Sequence, residues 1–151
     1  MNESQYLTAI YAFNYFGPVR INLLLSYFKK AKNIWESSRE KLIEIGIPEE
    51  KVIDFDNFRK DFDIEKYYKR LQDLKIRTVT ILDKDYPRNL KGLDGAPSVL
   101  YYKGNLNCLE GNSVAIVGSR RMTSYGKEVT EKFSGELAGF GITIISGLAR
   151  G

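Results

Sequence analysis

One short segment of the chain combines the residue types that bind phosphate. It runs GSRRMTS from Gly118 to Ser124 and brings together a glycine, three hydroxyl side chains and the arginines Arg120 and Arg121. A guanidinium fork matches the oxygens of a phosphate, and unpaired N–H groups at the start of a helix attract anions. Residues 111–127 contain no acid that could neutralise this charge. The segment therefore predicts an anion site.

A second segment of the same kind, SGLARG, covers residues 146–151. If both segments follow neighbouring parallel strands, they lie at the same edge of the sheet, where ligands of open α/β sheets bind. The alternative is that the arginines are solvated surface side chains at a turn, but the second Gly-Arg loop favours anion binding. The expected phosphate-binding residues are Gly118, Ser119, Arg120, Arg121, Ser146, Gly147 and Arg150.

Composition excludes several kinds of catalytic and metal site. Histidine is absent and Cys108 is the single cysteine, so no Ser-His-Asp triad, Cys-His pair or structural zinc site can form. The phosphate segment matches neither the Walker A pattern nor the G-x-G-x-x-G dinucleotide pattern. We therefore expect no catalytic residue, no metal and no cofactor.

The elements that must position the two segments form a βαβ unit. Apolar runs at Ser113–Val117 and Ile142–Ile145 predict strands buried on both faces. Between them, apolar residues spaced by three or four predict a helix over residues 125–140, with Ser124 as its N-cap. A strand, helix and strand in this order predict two parallel neighbouring strands with a right-handed crossover.

The earlier part of the chain is different in pattern. Up to about residue 75, helical spacing and punctuation such as Gly17-Pro18 predict four or five short helices. Two Gly-Pro-type turns permit a helix–hairpin–helix interpretation, but their few basic residues favour a plain helical bundle. Runs at residues 77–82 and 98–102 predict strands. We expect an α/β protein with domains at residues 1–75 and 76–151.

The sequence shows no segment that would direct the chain to a membrane or to secretion. The N-terminus lacks the basic start and apolar run of a signal peptide, and no apolar segment is long enough to span a membrane. A single cysteine suits a reducing compartment, so we expect a soluble cytoplasmic protein.

Most of the ten tyrosines are expected to be packing residues. Tyr125, one turn from the arginines, is the best candidate for contact with a base, but it fits the apolar stripe of the helix better.

The order of five motifs closely resembles the DNA-processing protein A family (DprA, also called Smf). The motifs are DYPxxL at residues 85–90, APSVLYYKG at 96–104, VAIVGSR at 114–120, Tyr125-Gly126 and ISGLARG at 145–151. Each is modest alone, but their order and spacing over residues 77–151 make a strong signal. The resemblance implies a sterile-alpha-motif-like helical domain followed by the first part of an extended Rossmann-like domain.

The same resemblance implies function. Such proteins bind single-stranded DNA, lining the pocket with their Gly-Ser-Arg and Ser-Gly-x-Ala-Arg-Gly loops. They help to load the RecA recombinase in natural transformation (competence) and DNA recombination, without catalysis. A homodimer is implied for the full-length protein. An alternative is a Rossmann-like enzyme that handles nucleotides or phosphoribosyl groups, and another is a protein-interaction module on a scaffold.

In the family, the Arg-Gly of the last motif is followed by the rest of the Rossmann-like sheet. A βαβ unit that ends at its second strand leaves an apolar edge and faces without cover. We therefore expect a fragment, a truncated gene product or an edge covered by another chain, with the strand edge beside Ile142–Ile145 unpaired.

Overall fold

The structure, a computed structural model, describes residues 1–149. These residues contain eight α-helices, one 3-10 helix and four strands. The helices are α1 (Glu3–Ala12), α2 (Pro18–Phe28), α3 (Ala31–Trp35), α4 (Arg39–Glu44), α5 (Glu49–Asp61), α6 (Ile64–Asp73), α7 (Arg88–Lys91) and α8 (Ser124–Gly139), with the 3-10 helix at Leu106–Leu109. The strands are β1 (Arg77–Thr80), β2 (Val99–Tyr102), β3 (Ser113–Ala115) and β4 (Thr143–Ile145).

Contacts divide the chain into two compact units, residues 1–104 and residues 105–151. The first unit contains α1 to α7 together with the antiparallel pair β1–β2, which packs on α1. The predicted boundary between residues 75 and 76 differs from this division, which places the β1–β2 pair with the helices. Val99 of β2 belongs to the same buried apolar cluster as the helical residues. The assignment of 1–75 and 76–151 as separate domains stays a prediction.

The helical part of the first unit folds around one apolar core. Its fully buried residues come from five of the helices and from the segments between them, and they include Leu7, Ile10, Phe16, Ile21, Leu24, Ile34, Leu42, Val52 and Phe55. Six helices precede β1, where the sequence predicted four or five. Pro18 takes the first position of α2, and the Asp63 side chain caps α6 by accepting a hydrogen bond from Lys66 N at 2.9 Å. Proline is favoured at the first position of a helix, and aspartate is favoured at the N-cap.

A charged cluster joins α5 to the end of α3, the start of α4 and the segment between them. The Asp56 carboxylate accepts hydrogen bonds from Arg39 and Arg59. The Arg59 guanidinium also donates to the carbonyl oxygens of Trp35 and Ser37, the latter at 2.9 Å. Because the Asp56 and Arg59 side chains are only 13% and 15% exposed, this cluster fixes the position of α5 with little competition from water.

The second unit is the predicted βαβ unit. β3 and β4 pair in parallel, with Ser113 opposite Thr143 and Ala115 opposite Ile145, and α8 connects them. This pairing confirms the prediction of parallel neighbours. Within residues 1–149 the sheet has only these two strands, so the edge beside β4 is unpaired there, as expected.

The predicted burial of these strands on both faces is wrong for the described residues. All three residues of β3 are exposed, and Val117 is 89% exposed. The apolar side of α8 is also open, since Tyr125 and Phe133 are more than half exposed. The physical reason is that α8 is the one α-helix that the described residues of this unit supply to the two-stranded sheet. The strands and α8 therefore carry the apolar residues that the sequence pattern indicated, but the described residues do not cover these side chains.

Candidate functional site

The two predicted loops leave the sheet at the same edge. Residues 116–123 follow β3, residues 146–148 follow β4, and Ile116 N donates to Ile145 O at 2.9 Å just before the loops begin. Because β3 and β4 are parallel neighbours, their carboxyl ends lie side by side. The structure thus brings six of the seven predicted site residues to one edge. The seventh, Arg150, lies outside the described residues.

A serine side chain stabilises the turn in each loop. Ser119 Oγ accepts a hydrogen bond from Arg121 N at 3.2 Å, and Ser146 Oγ accepts one from Leu148 N at 3.3 Å. Sequence reasoning treated both serines only as ligand donors and missed this shared role. The signal was present in the sequence, because a Ser two residues before a backbone N–H in a loop is a common turn former. Among the described residues neither hydroxyl donates a hydrogen bond, so each can donate to a ligand while its oxygen accepts.

The first turn of α8 lies beside the first loop. Thr123, rather than the predicted Ser124, is the N-cap, and its hydroxyl oxygen accepts from Gly126 N at 3.1 Å. The reason is local, since the backbone turns into the helix one residue earlier than the sequence predicted. No acidic residue lies in this first turn. The helix start therefore presents a partial positive charge with no carboxylate to compete for it.

The two arginines are exposed and carry uncompensated charge. Among residues 1–149, neither the Arg120 nor the Arg121 side chain forms an ion pair or a hydrogen bond. The nearest ion pair along α8 is Lys127 with Glu131, at 3.8 Å between exposed side chains. No carboxylate has to be displaced before the guanidinium groups can bind an anion.

The glycines leave the loops open. A Cβ built at Gly118 or Gly147 meets no atom within 4 Å, so neither glycine is required by crowding within the described residues. Their effect is to leave the adjacent backbone uncovered, where a ligand can approach closely. The site is accordingly a shallow cationic edge formed by backbone, hydroxyl and guanidinium groups.

Residues 1–149 contain neither a candidate metal cluster nor a candidate membrane-spanning helix. That part of the chain has no group of three or more Cys, Asp or Glu residues placed to hold a metal ion. It also has no helix with the length and apolar character needed to cross a bilayer. In the first unit, the Asp83 carboxylate lines a polar pocket, but it already accepts from Ser4 Oγ at 2.5 Å and from Thr80 N at 2.7 Å.

Comparison with known proteins gives consistent matches. The family model described as DNA recombination-mediator protein A matches residues 77–151. Protein Smf of Synechocystis is 33% identical over 140 residues, which cover 89% of this chain and 35% of the relative. The DNA processing protein DprA of Bacillus subtilis is 37% identical over 97 residues, which cover 59% of this chain and 33% of the relative. The chain thus spans about a third of the length of these relatives.

A solved structure extends the match to the whole chain. DNA processing protein A (DprA) from Streptococcus pneumoniae superposes with a TM-score of 0.73 at 29% sequence identity, covering 100% of this chain and 51% of that one. This match confirms the predicted fold class, helices followed by the first part of a parallel α/β sheet. It includes the helical region before residue 77, which the family model does not cover.

Proposed function

The chain belongs to the DprA/Smf family of DNA-processing proteins, and from this membership we propose that its two arginine-bearing loops bind the phosphates of single-stranded DNA. The observation that carries the proposal is the placement of both loops at one sheet edge, with two arginines that have no counter-charge within the described residues. Phosphate oxygens are the ligands that such a combination of guanidinium, hydroxyl and backbone N–H groups binds best.

Each proposed ligand has a distinct role. Arg120 and Arg121 supply charge and paired N–H donors to phosphate oxygens. Ser119 and Ser146 fix the loop backbone and donate their hydroxyl hydrogens. Gly118 and Gly147 leave the backbone open to the strand, and Arg150 adds a third cation from the second loop. These contacts position the nucleic acid backbone without reading its sequence.

The biological role proposed for the intact protein is that of a recombination mediator. It would hold single-stranded DNA, help to load the RecA recombinase in natural transformation and recombination, act as a homodimer and reside in the cytoplasm. Binding rather than catalysis is proposed because the first turn of α8 contains no carboxylate, and the chain no histidine, that could act as a base on the loop hydroxyl groups.

The test is a binding measurement with fluorescently labelled oligothymidine, followed by anisotropy. The Arg120→Ala/Arg121→Ala double variant should bind at least about tenfold more weakly than the parent chain. The matched control is Lys132→Ala combined with Lys127→Ala, which removes two exposed cations from α8. Circular dichroism should show that both variants remain folded. Equal affinity of the arginine variant and the parent would refute the proposed site.

A further inference from the structure

An exposed apolar stripe runs along α2, on the face opposite its buried one. Ile21 and Leu24 of this helix are fully buried in the core. On the other face Val19 is 75% exposed, and Leu23 and Tyr27 are each 47% exposed. The spacing of four residues aligns these three side chains over about 12 Å of helix. A helix that is apolar on both faces is normally covered on both.

Cations without carboxylate partners lie at both ends of this stripe. Residues 4–35 contain no acid, and they include Arg20, Lys29 and Lys30, none of which has a carboxylate within 4 Å in the described structure. Arg20 instead lies over the ring of Tyr15, 4.4 Å from its centroid. The acids that flank this stretch are already engaged, since the Glu3 carboxylate accepts from Ala31 N at 2.6 Å and Glu36 pairs with Lys32 at 3.7 Å.

We propose that this α2 surface, defined by Val19, Leu23 and Tyr27 with Arg20, Lys29 and Lys30, docks an acidic amphipathic helix of a partner protein. Such a helix would cover the stripe with apolar residues at three- and four-residue spacing and place its carboxylates against the cations at either end. The inference concerns the first unit alone and does not depend on DNA binding by the loops after β3 and β4.

Charge and shape favour this occupant over the others. A second copy of the chain laid antiparallel on the same surface would bring Arg20 against Lys29 and Lys30, and like charges at an interface are costly. A nucleic acid would gain little from Val19 and Leu23, which offer no π-face to a base. A bilayer would be met by only three side chains of a helix whose other face is fixed in the core.

The experiment identifies the sequence features of peptides that bind the α2 surface. A displayed library of random helical peptides is selected against the 151-residue chain, and the enriched peptides are synthesised and titrated. We expect enrichment of acidic residues flanking an apolar stripe. Leu23→Ser and Arg20→Glu should each weaken binding about tenfold. Enrichment of neutral or basic peptides would overturn the proposal.

Matched variants separate the surface from general effects. Ile53→Ser changes an equally helical apolar side chain that is 40% exposed, on α5. Lys66→Glu reverses a cation at the third position of α6, as Arg20→Glu does at the third position of α2. Both controls should bind the selected peptides like the parent. Equal losses in test and control variants, or no loss in either, would refute the docking surface.

Two further arms distinguish other classes of ligand. Vesicles of phosphatidylcholine and phosphatidylserine, and oligothymidine, are titrated with the parent and with Leu23→Ser. Neither vesicle binding nor oligothymidine binding should change when Leu23 is replaced by Ser. A loss of vesicle or oligothymidine binding in Leu23→Ser would assign the α2 surface to a membrane or to DNA and overturn the proposal. The variants Arg120→Ala and Arg121→Ala test DNA binding and leave α2 unchanged, whereas Leu23→Ser and Arg20→Glu test the α2 surface and leave the loops unchanged. A failure of one proposal can therefore be told apart from a failure of the other.

Discussion

Replacing Asp56 by Asn should destabilise the first unit by about 1–3 kcal/mol at neutral pH. The Asp56 carboxylate accepts hydrogen bonds from two guanidinium groups while its side chain is only 13% exposed. Hydrogen bonds to charged groups contribute about 1.5–3 kcal/mol, and a neutral amide retains part of that value. The larger cost is that Arg59, only 15% exposed, loses its counter-charge.

The pH dependence of this loss has a definite sign. Burial alone would raise the pKa of Asp56, but the hydrogen bonds from Arg39 and Arg59 hold it below its ordinary value. A carboxyl group with a lowered folded pKa stabilises the protein fully above its unfolded pKa of about 3.9. That contribution is lost as the pH falls through the folded pKa. The stability gap between parent and variant should therefore shrink below about pH 4.

The assay is urea unfolding of both chains at neutral pH and at several acidic values. Asp54→Asn is the control, because Asp54 pairs with Lys51 at 2.8 Å on the surface and its side chain is 47% exposed. This variant should lose little stability, as exposed ion pairs contribute little. A gap for Asp56→Asn that stays constant into strong acid, or equal losses in both variants, would refute the reasoning.

Three further predictions concern the second unit. Arg120→Ala should flatten the plot of log affinity for oligothymidine against log salt by about 0.7 for each phosphate that the variant no longer binds, whereas Glu136→Ala should leave the slope unchanged. Thr123→Ala should cost about 1 kcal/mol of unfolding free energy by removing the cap of α8, and Thr130→Ala, in mid-helix, should cost less. Tyr125, 76% exposed, should contribute base stacking, so Tyr125→Ala should weaken oligothymidine binding more than duplex binding.

The regular elements were largely predictable because they follow from local periodicity. The helix expected at residues 125–140 occupies Ser124–Gly139, and the strand expected at 77–82 occupies Arg77–Thr80. The strand is shorter because the chain turns after it: Asp83 N donates to Thr80 O at 2.9 Å, and the Asp83 carboxylate accepts from Thr80 N at 2.7 Å. A turn that a side chain stabilises in this way is difficult to foresee from a β-branched run alone.

Burial and long-range contacts were not predictable in the same way. The apolar run at Ser113–Val117 indicated a buried strand, yet cover depends on what packs against it rather than on the run itself. The hydrogen bond between the hydroxyl groups of Tyr67 and Tyr101, at 3.1 Å, joins residues 34 positions apart in sequence. Partial burial of Tyr101, which is 39% exposed, followed by this bond, raises the pKa of its hydroxyl above the ordinary value. Neither residue type nor spacing contains that information.

The candidate site residues could be selected from the sequence as a set because their chemistry is local, and their role in binding stays a prediction. The basis of a preference for single strands is not contained in them. Phosphate contacts from Arg120, Ser119 and Ser146 would serve single and double strands alike, since both carry the same phosphates. A preference for single strands therefore has to come from groups that engage exposed bases. In the second unit the exposed ring nearest in sequence to the arginines is Tyr125, in the first turn of α8. We therefore expect the loop arginines to determine the affinity for nucleic acid. We expect the ring of Tyr125, one turn away, to determine the preference for single strands.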